Sequence, residues 1–470
     1  MNDSFNELMN TVVKNDYCIG CGVCASLIGS PFVMALDKEG KFSPLIKEDS
    51  FQGEDVKINP LLVCPFSNSS KNETVVGKEL FSKYQGIKNN KYIGYYTHNY
   101  AGYVKVGEYR KNGSSGGMGN WIAAQLLNHN LVDAIIHVRS DDSSNKQLFK
   151  YQISYSKTEL SSGAKSKYYP IEMSQVIQLV KENKGRYALV GIPCFIKAIR
   201  LLAEQDEIIK NRIKFFIGLV CGHLKSDMFA KTIGWQLGIE PDNLTNIDFR
   251  KKIMGRAAND YGVEVRGLEK DENIITSSPI KDLYTTNWGH GLFKYNACEF
   301  CDDILAETAD VTVGDAWLPE YSNDSMGTNI VTVRNPIIKK ILEDNIDQIH
   351  IEEIHPKKIY KSQSSGIRHR RHGLAYRLYL KDQNNEWRPE KRVTPNNKLS
   401  LKRKKIYEKR MTLSKESFNA YSEAKYERNF NKFIDYMDPI IKEYNQMIST
   451  PPVRKWLGKI KREIKSLIKR

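Results

Sequence analysis

Between about Glu79 and Pro356, short apolar runs alternate with stretches whose apolar residues recur at helical spacing. Ala134-Ile-Ile-His-Val, Tyr187-Ala-Leu-Val-Gly, Phe215-Phe-Ile-Gly-Leu-Val and Val311-Thr-Val are rich in β-branched and aromatic residues and read as strands. Gly119 to Leu127, Met173 to Lys184, Phe195 to Glu204 and Ser226 to Leu237 read as amphipathic helices. This alternation predicts an α/β fold, a mixed sheet-and-helix core that is at least partly parallel, because parallel neighbours need a crossover between them. Upstream, Phe32-Val-Met-Ala-Leu-Asp-Lys-Glu-Gly-Lys-Phe-Ser-Pro predicts a hairpin turning at Lys38-Glu39-Gly40. The polar stretch Ser67 to Lys78 reads as a link from that unit to the core. Beyond Pro395 the pattern is helical, basic and free of turn signals until Pro451-Pro452. The chain therefore divides into a small N-terminal module over 1–78, a core over 79–356, and a basic, mostly helical extension over 357–470.

Charge sharpens that division. The net charge is +16. Residues 357–470 hold 31 Lys and Arg against 11 Asp and Glu, which leaves 40 against 44 in the rest of the chain. The basic excess sits in the last quarter, which contains no cysteine, so chemistry and basic charge fall in different places along the sequence. A nucleic-acid protein built on structural zinc would interleave the two, and no nucleic-acid partner is expected. No stretch reaches the ~18 consecutive apolar residues of a membrane span, and the first residues lack a signal-peptide core. The expected location is the cytoplasm, where clustered cysteines more often bind metal than form disulfides.

The eight cysteines fall into two sets of four. Cys18-Ile-Gly-Cys21-Gly-Val-Cys24 places a thiol at every third position, and Cys64-Pro65 follows the hairpin. Such a loop, relieved by Gly20 and Gly22, can wrap three corners of a 4Fe–4S core while a Cys-Pro pair supplies the fourth. The alternative is zinc, which also accepts four cysteines. In the second set, Cys194 and Cys221 each follow a predicted strand. If those strands are parallel neighbours, both thiols emerge at the carboxyl edge of the sheet, where α/β folds bind ligands. Cys298-Glu-Phe-Cys301 adds a close pair. The competing reading is that Cys194 and Cys221 are small buried residues.

Two further loops have binding chemistry. Gly113-Ser114-Ser115-Gly116-Gly117 precedes a helix and could cradle a phosphate on its amides. Gly163-Ala-Lys165-Ser166-Lys167-Tyr168 offers two cations, a hydroxyl and a ring to a nucleotide. Read alone, each is more often an ordinary solvated loop.

In this order, the motifs are similar to those of the coenzyme F420 hydrogenase/dehydrogenase beta-subunit family, with an N-terminal ferredoxin-type segment attached. The resemblance runs from Cys18 to Arg334. It includes Gly191-Ile-Pro-Cys194, Val220-Cys221-Gly-His223, Asp248-Phe-Arg250 and Cys298-x-x-Cys301-x-Asp303 through Asp310-Val-Thr-Val-Gly-Asp315. It implies two 4Fe–4S clusters and FAD. Cys194, Cys221, Cys298 and Cys301 would hold the core cluster, and Ser114 to Gly117 with Lys165 to Tyr168 would contact the flavin. Relatives more often have a Cys-His-Gly order, whereas this chain has Cys221-Gly222-His223, so no family role passes to His223. The implied activity is an oxidoreductase that passes electrons through the clusters to FAD and on to, or from, a reducible organic substrate or a deazaflavin-like coenzyme. Its redox partner would be a protein such as a ferredoxin. The alternative is a non-enzymatic subunit that relays electrons to a partner protein. No catalytic acid or base stands out; His223, His290 and Asp315 lie near the implied ligands in sequence. At the end of the chain, Trp456, Leu457, Ile460, Ile464, Leu467 and Ile468 share one helical face, and lysines and arginines crowd the rest. Residues 453–470 could bind the inner face of an anionic membrane, or pack on their own domain with the basic face in water.

Overall fold

A computed structural model describes residues 3–47, 57–141, 147–269 and 272–449. The amphipathic segment at 453–470 lies outside the described residues. The described chain packs as two compact units, Met1–Thr286 with Phe293–Lys398 and Asn287–Leu292 with Leu399–Arg470.

The first unit is built on an eight-stranded mixed sheet. From one edge to the other its strands run Ile349–Glu353, His98–Val104, Asn329–Val333, Val311–Asp315, Ile213–Leu219, Tyr187–Gly191, Ala134–Ser140 and Phe149–Ser154. The four predicted strands are its centre, and they are mutually parallel: Val311–Asp315 beside Ile213–Leu219, then Tyr187–Gly191, then Ala134–Ser140. Antiparallel strands flank them. Central parallel strands are covered on both faces, which is why Ala134-Ile-Ile and Tyr187-Ala-Leu are continuous apolar runs without alternation. The predicted helices form at Met118–Asn128, Ser174–Glu182, Pro193–Gln205 and Asp227–Gln236. Met118, Trp121, Ile122 and Ala124 of the first pack on Ile135, Ala188, Ile217, Val313 and Val331 of the sheet. A three-stranded antiparallel sheet, Leu244–Lys251, Gly262–Glu269 and Glu272–Pro279, stands beside this core.

The N-terminal hairpin forms as expected, with Phe32–Leu36 paired to Phe42–Ile46 and Gly40 in the left-handed region at φ +66°. The stretch Ser67 to Lys78 is more than a link. Asn72 accepts hydrogen bonds from the amides of Thr74 and Val75 and starts a helix, Glu73–Phe81. The last stretch before Pro451 is broken where none was expected. Helices Leu401–Tyr426 and Phe430–Ile448 are separated at Arg428, φ +51°, and Asn429, whose side chain caps the second. They form an antiparallel pair, tied by Lys409 to Glu443 and by Tyr436 to Glu416. No helix among the described residues is long and apolar enough to cross a membrane.

Candidate functional site

Cys194 opens the helix that follows strand Tyr187–Gly191, and Cys221 lies just beyond strand Ile213–Leu219. Because those strands are parallel neighbours, both thiols reach the same carboxyl edge. Cys298 lies in a single 3-10 turn, Asn296–Phe300, with Cys301 as its cap. All four line one pocket together with Ile19, Phe66, Leu224, Asp303 and Arg370. They are free thiols. Burial pushes each thiol pKa up, and the neighbouring sulfurs push Cys194 and Cys221 further; for Cys301 the result is about 11. Four thiols held this way lose their protons only if a cationic centre compensates the charge.

The N-terminal four, Cys18, Cys21, Cys24 and Cys64, also share one place. Burial raises all four thiols, Cys18 to about 12, and each of the first three feels Cys64. Gly20, at φ +67°, donates its amide to Cys18 Sγ at 3.3 Å. A Cβ there would meet the Phe42 carbonyl at 2.7 Å, so only glycine fits. Amides of Val23, Ala25, Phe66 and Ser67 are directed at the other sulfurs. Amide-to-sulfur hydrogen bonds of this kind tune iron–sulfur centres. Among the described residues, no three thiol, imidazole or carboxylate groups stand close enough to share a single metal ion. Each donor set is four thiols, a set that both a 4Fe–4S cluster and a structural zinc accept.

The two sets adjoin. Cys21 is near enough to Cys194 to raise its pKa, and Tyr151 and Tyr295 each feel a sulfur of both sets. The N-terminal module is clamped to the core at several points. Asp227 donates its amide to the Gly40 carbonyl at 3.0 Å, and Met173 to the Cys21 carbonyl at 2.9 Å. The Phe42 amide donates to the Tyr295 hydroxyl at 3.0 Å, and Tyr17 sits edge-on against Phe300 with ring centres 4.9 Å apart.

The two candidate nucleotide loops also meet. Ser114 Oγ accepts from the Ser166 amide at 2.8 Å and lies 3.1 Å from Ser166 Oγ. Arg250 joins them to the sheet edge, donating to the Ser114 carbonyl at 3.1 Å, to Tyr168 Oη at 3.2 Å and to Asp315 at 3.1 Å. Lys252 holds the carbonyls of Arg110, Ser115 and Met326. Lys165 pairs with Asp248 and sits at φ +75°, a strained conformation for a lysine. The helix start is less open than a phosphate cradle requires. Asn329 Oδ1 accepts the Met118 amide at 3.1 Å, and a Cβ on Gly116 would meet the Gly102 carbonyl at 2.7 Å. The backbone of the glycine loop is therefore committed to internal packing, and Lys167 of the second loop donates to the Ala164 carbonyl at 3.3 Å and lies over the Phe149 ring. Burial lowers Lys167 to about 8 and Lys252 to about 8; Arg110, Lys165 and Arg250 add to the fall at Lys252.

Distance along the chain does not become distance in space for part of the basic charge. Residues 357–398 belong to the first unit and insert cations among the thiols and their neighbours. Arg370 lines the core pocket. Arg392 pairs with Asp302 at 3.2 Å and Glu307 at 2.7 Å, and Lys391 donates to the Pro65 carbonyl at 3.3 Å. Part of the basic charge thus lies beside the thiols; sequence reasoning missed this because the partners lie far apart in the chain. Of the other residues noted in sequence, Asp315 is taken by Arg250. His290 belongs to the second unit, 3.2 Å from Asn445.

The class this sheet and its thiol-lined edge define is given by comparison with known proteins. Residues 99–178 match the N-terminal domain, and 184–358 the C terminus, of coenzyme F420 hydrogenase/dehydrogenase, beta subunit. The chain belongs to this family. It is 26% identical over 239 residues to an uncharacterized protein of Methanocaldococcus jannaschii, a match that covers 50% of this chain and 80% of that one. It is 22% identical over 349 residues to a subunit of the F(420)H(2) dehydrogenase of Methanosarcina mazei, covering 73% and 86%. Against the coenzyme F420-dependent sulfite reductase of Methanocaldococcus jannaschii it is 23% identical over 362 residues, 74% of this chain but 49% of that enzyme. Among solved structures, a chain of the F420-reducing nickel–iron hydrogenase complex from Methanosarcina barkeri gives a TM-score of 0.47 at 14% identity, covering 64% of this chain and 98% of that one.

Proposed function

We propose that the chain is an iron–sulfur flavoprotein oxidoreductase carrying two 4Fe–4S clusters and FAD, which exchanges electrons between a protein such as a ferredoxin and a reducible organic substrate or deazaflavin coenzyme. The observation that carries this reading is the adjacency of two buried four-thiol sets at the sheet edge that also holds the joined loops. Cys18, Cys21, Cys24 and Cys64 would hold one cluster; Cys194, Cys221, Cys298 and Cys301 the other. Bound there, the clusters would supply single-electron transfer and the flavin the pairing of electrons into a hydride, chemistry that belongs to the cofactors. The chain supplies spacing, exclusion of water and charge. Ser114, Ser115, Gly116 and Gly117 would shape the wall of the flavin site, and Lys165, Ser166, Lys167 and Tyr168 would face its phosphates and ring.

Anaerobic purification with iron, acid-labile sulfide and flavin quantified together tests the reading. About eight irons, eight sulfides and one FAD per chain are expected; zinc without sulfide would overturn it. A pH dependence follows from Lys167, which burial holds near 8. Its cationic form attracts phosphate, so FAD affinity is expected to be full well below pH 8 and to fall as the pH rises through it. Fluorescence titration of apoprotein with FAD between pH 6.5 and about 9.5 checks this; a flat profile would move the phosphates away from Lys167.

A further inference from the structure

Arg370 is placed by a distinctive piece of backbone. His369–Gly373 is a single π-helical turn, the kind of widened turn that occurs mostly at functional sites. It directs His369 to Glu299 and Arg370 into the thiol pocket. Arg370 is 2% exposed. Its Nη1 donates to the Cys298 carbonyl and its Nη2 to the Gly222 carbonyl, so one guanidinium clasps the backbone beside two of the four sulfurs. Its charge also opposes the effect of burial on Cys221, Cys298 and Cys301. Lys294 adds to it at Cys298, while the cations acting on the N-terminal set are Lys197 and Lys391 on Cys64 and Lys41 on Cys18. Arg370 lies beyond residues 184–358, the part matched to the C terminus of the family.

We propose that Arg370 is a positioning residue that raises the reduction potential of the core centre. The proposal rests on the reading of Cys194, Cys221, Cys298 and Cys301 as ligands of a 4Fe–4S cluster. Each electron taken from an outside donor adds one negative charge to a site that four thiolates already make negative. A fixed guanidinium in a water-poor pocket favours that reduced state, because Coulomb interactions are strong at low dielectric and arginine keeps its proton. Charge and hydrogen bonding around the sulfurs are the protein's means of setting such potentials.

The test is a redox titration of the full chain, following both clusters by EPR and measuring iron on the same samples, for wild type, Arg370→Gln and Arg370→Lys. In Arg370→Gln the core cluster is expected to become at least tenfold less reduced at a fixed ambient potential, a shift of about 59 mV or more to the negative for one electron. The N-terminal cluster serves as internal reference and should not move. Arg370→Lys keeps the charge while losing the planar clasp, and should restore most of the shift. An unchanged core potential in Arg370→Gln at full iron content would overturn the proposal and leave Arg370 a structural clasp. If the glutamine variant loses its core iron, Arg370→Met, which also removes the charge, takes its place: a core potential at least tenfold less favourable to reduction than in Arg370→Lys supports the role of charge, and an equal one refutes it. Four irons in place of eight in the wild type would instead remove the cluster reading itself.

Discussion

Replacing Cys298 by serine is expected to leave the chain with about four irons and four sulfides in place of about eight of each, with the N-terminal cluster intact. Cys298 is the buried member of its set, and its Sγ accepts the Leu224 amide at 3.2 Å. A serine oxygen is a harder donor than thiolate and is poorly matched to iron–sulfur cores. Cys64→Ser should give the reciprocal result, because Cys64 belongs to the other set. Iron and sulfide analysis with EPR of each variant checks both. Loss of all iron from either variant would mean that the two sets hold one shared centre, and full retention would mean that the serine position is not a ligand.

The second large effect concerns Glu299, which stands between Cys298 and Cys301 in the chain. Its carboxylate is 2% exposed and meets Lys294 directly, His369 Nε2 at 3.0 Å and Arg377 Nε at 3.2 Å. Burial alone would raise its pKa; Lys294, Arg377 and His369 together hold it well below the usual carboxylate range. Lys294 is 2% and Arg377 1% exposed. Glu299→Gln keeps the shape and removes the charge, stranding two buried cations beside each other. Removing one partner from a buried ion cluster costs about 3–5 kcal/mol, and denaturant midpoints of variant and wild type should differ accordingly. A difference below about 1 kcal/mol, the range of exposed pairs, would show that water reaches this cluster.

The parts of the fold that are legible in sequence are those with a local signal. Tyr187-Ala-Leu-Val-Gly and Phe215-Phe-Ile-Gly-Leu-Val announce buried strands by composition, and the glycine of Lys38-Glu39-Gly40 announces a turn. Once those strands are parallel, the placement of Cys194 and Cys221 at one edge follows. The helix start at Glu73 also has a local signal, since Asn72 before Glu73 is a common capping pair, but the polar run around it obscures the apolar face. The turn at Arg428-Asn429 carries only a weak signal, since arginine seldom adopts positive φ and a single asparagine is not decisive. What no local pattern could show is the ionic bonding between distant segments. Arg370 reaches a carbonyl 72 residues away, and Arg392 a carboxylate 90 residues away. Charge counted along the chain separated these groups, because counting sees composition and not which cations fold inward.

The clamps between the N-terminal module and the core have a kinetic meaning. Tethered electron carriers deliver their charge by swinging between a loading and an unloading position, and their throughput then depends on how fast the arm moves through solvent. Here the hairpin is tied by the Gly40, Phe42 and Cys21 backbone to Asp227, Tyr295 and Met173, and the sulfurs of the two sets already feel one another. If the two thiol sets hold the proposed clusters, a carrier tied in this way has no stroke to make. Traffic between the centres would then be governed by driving force and distance alone, and thickening the solvent would slow only the arrival of outside partners.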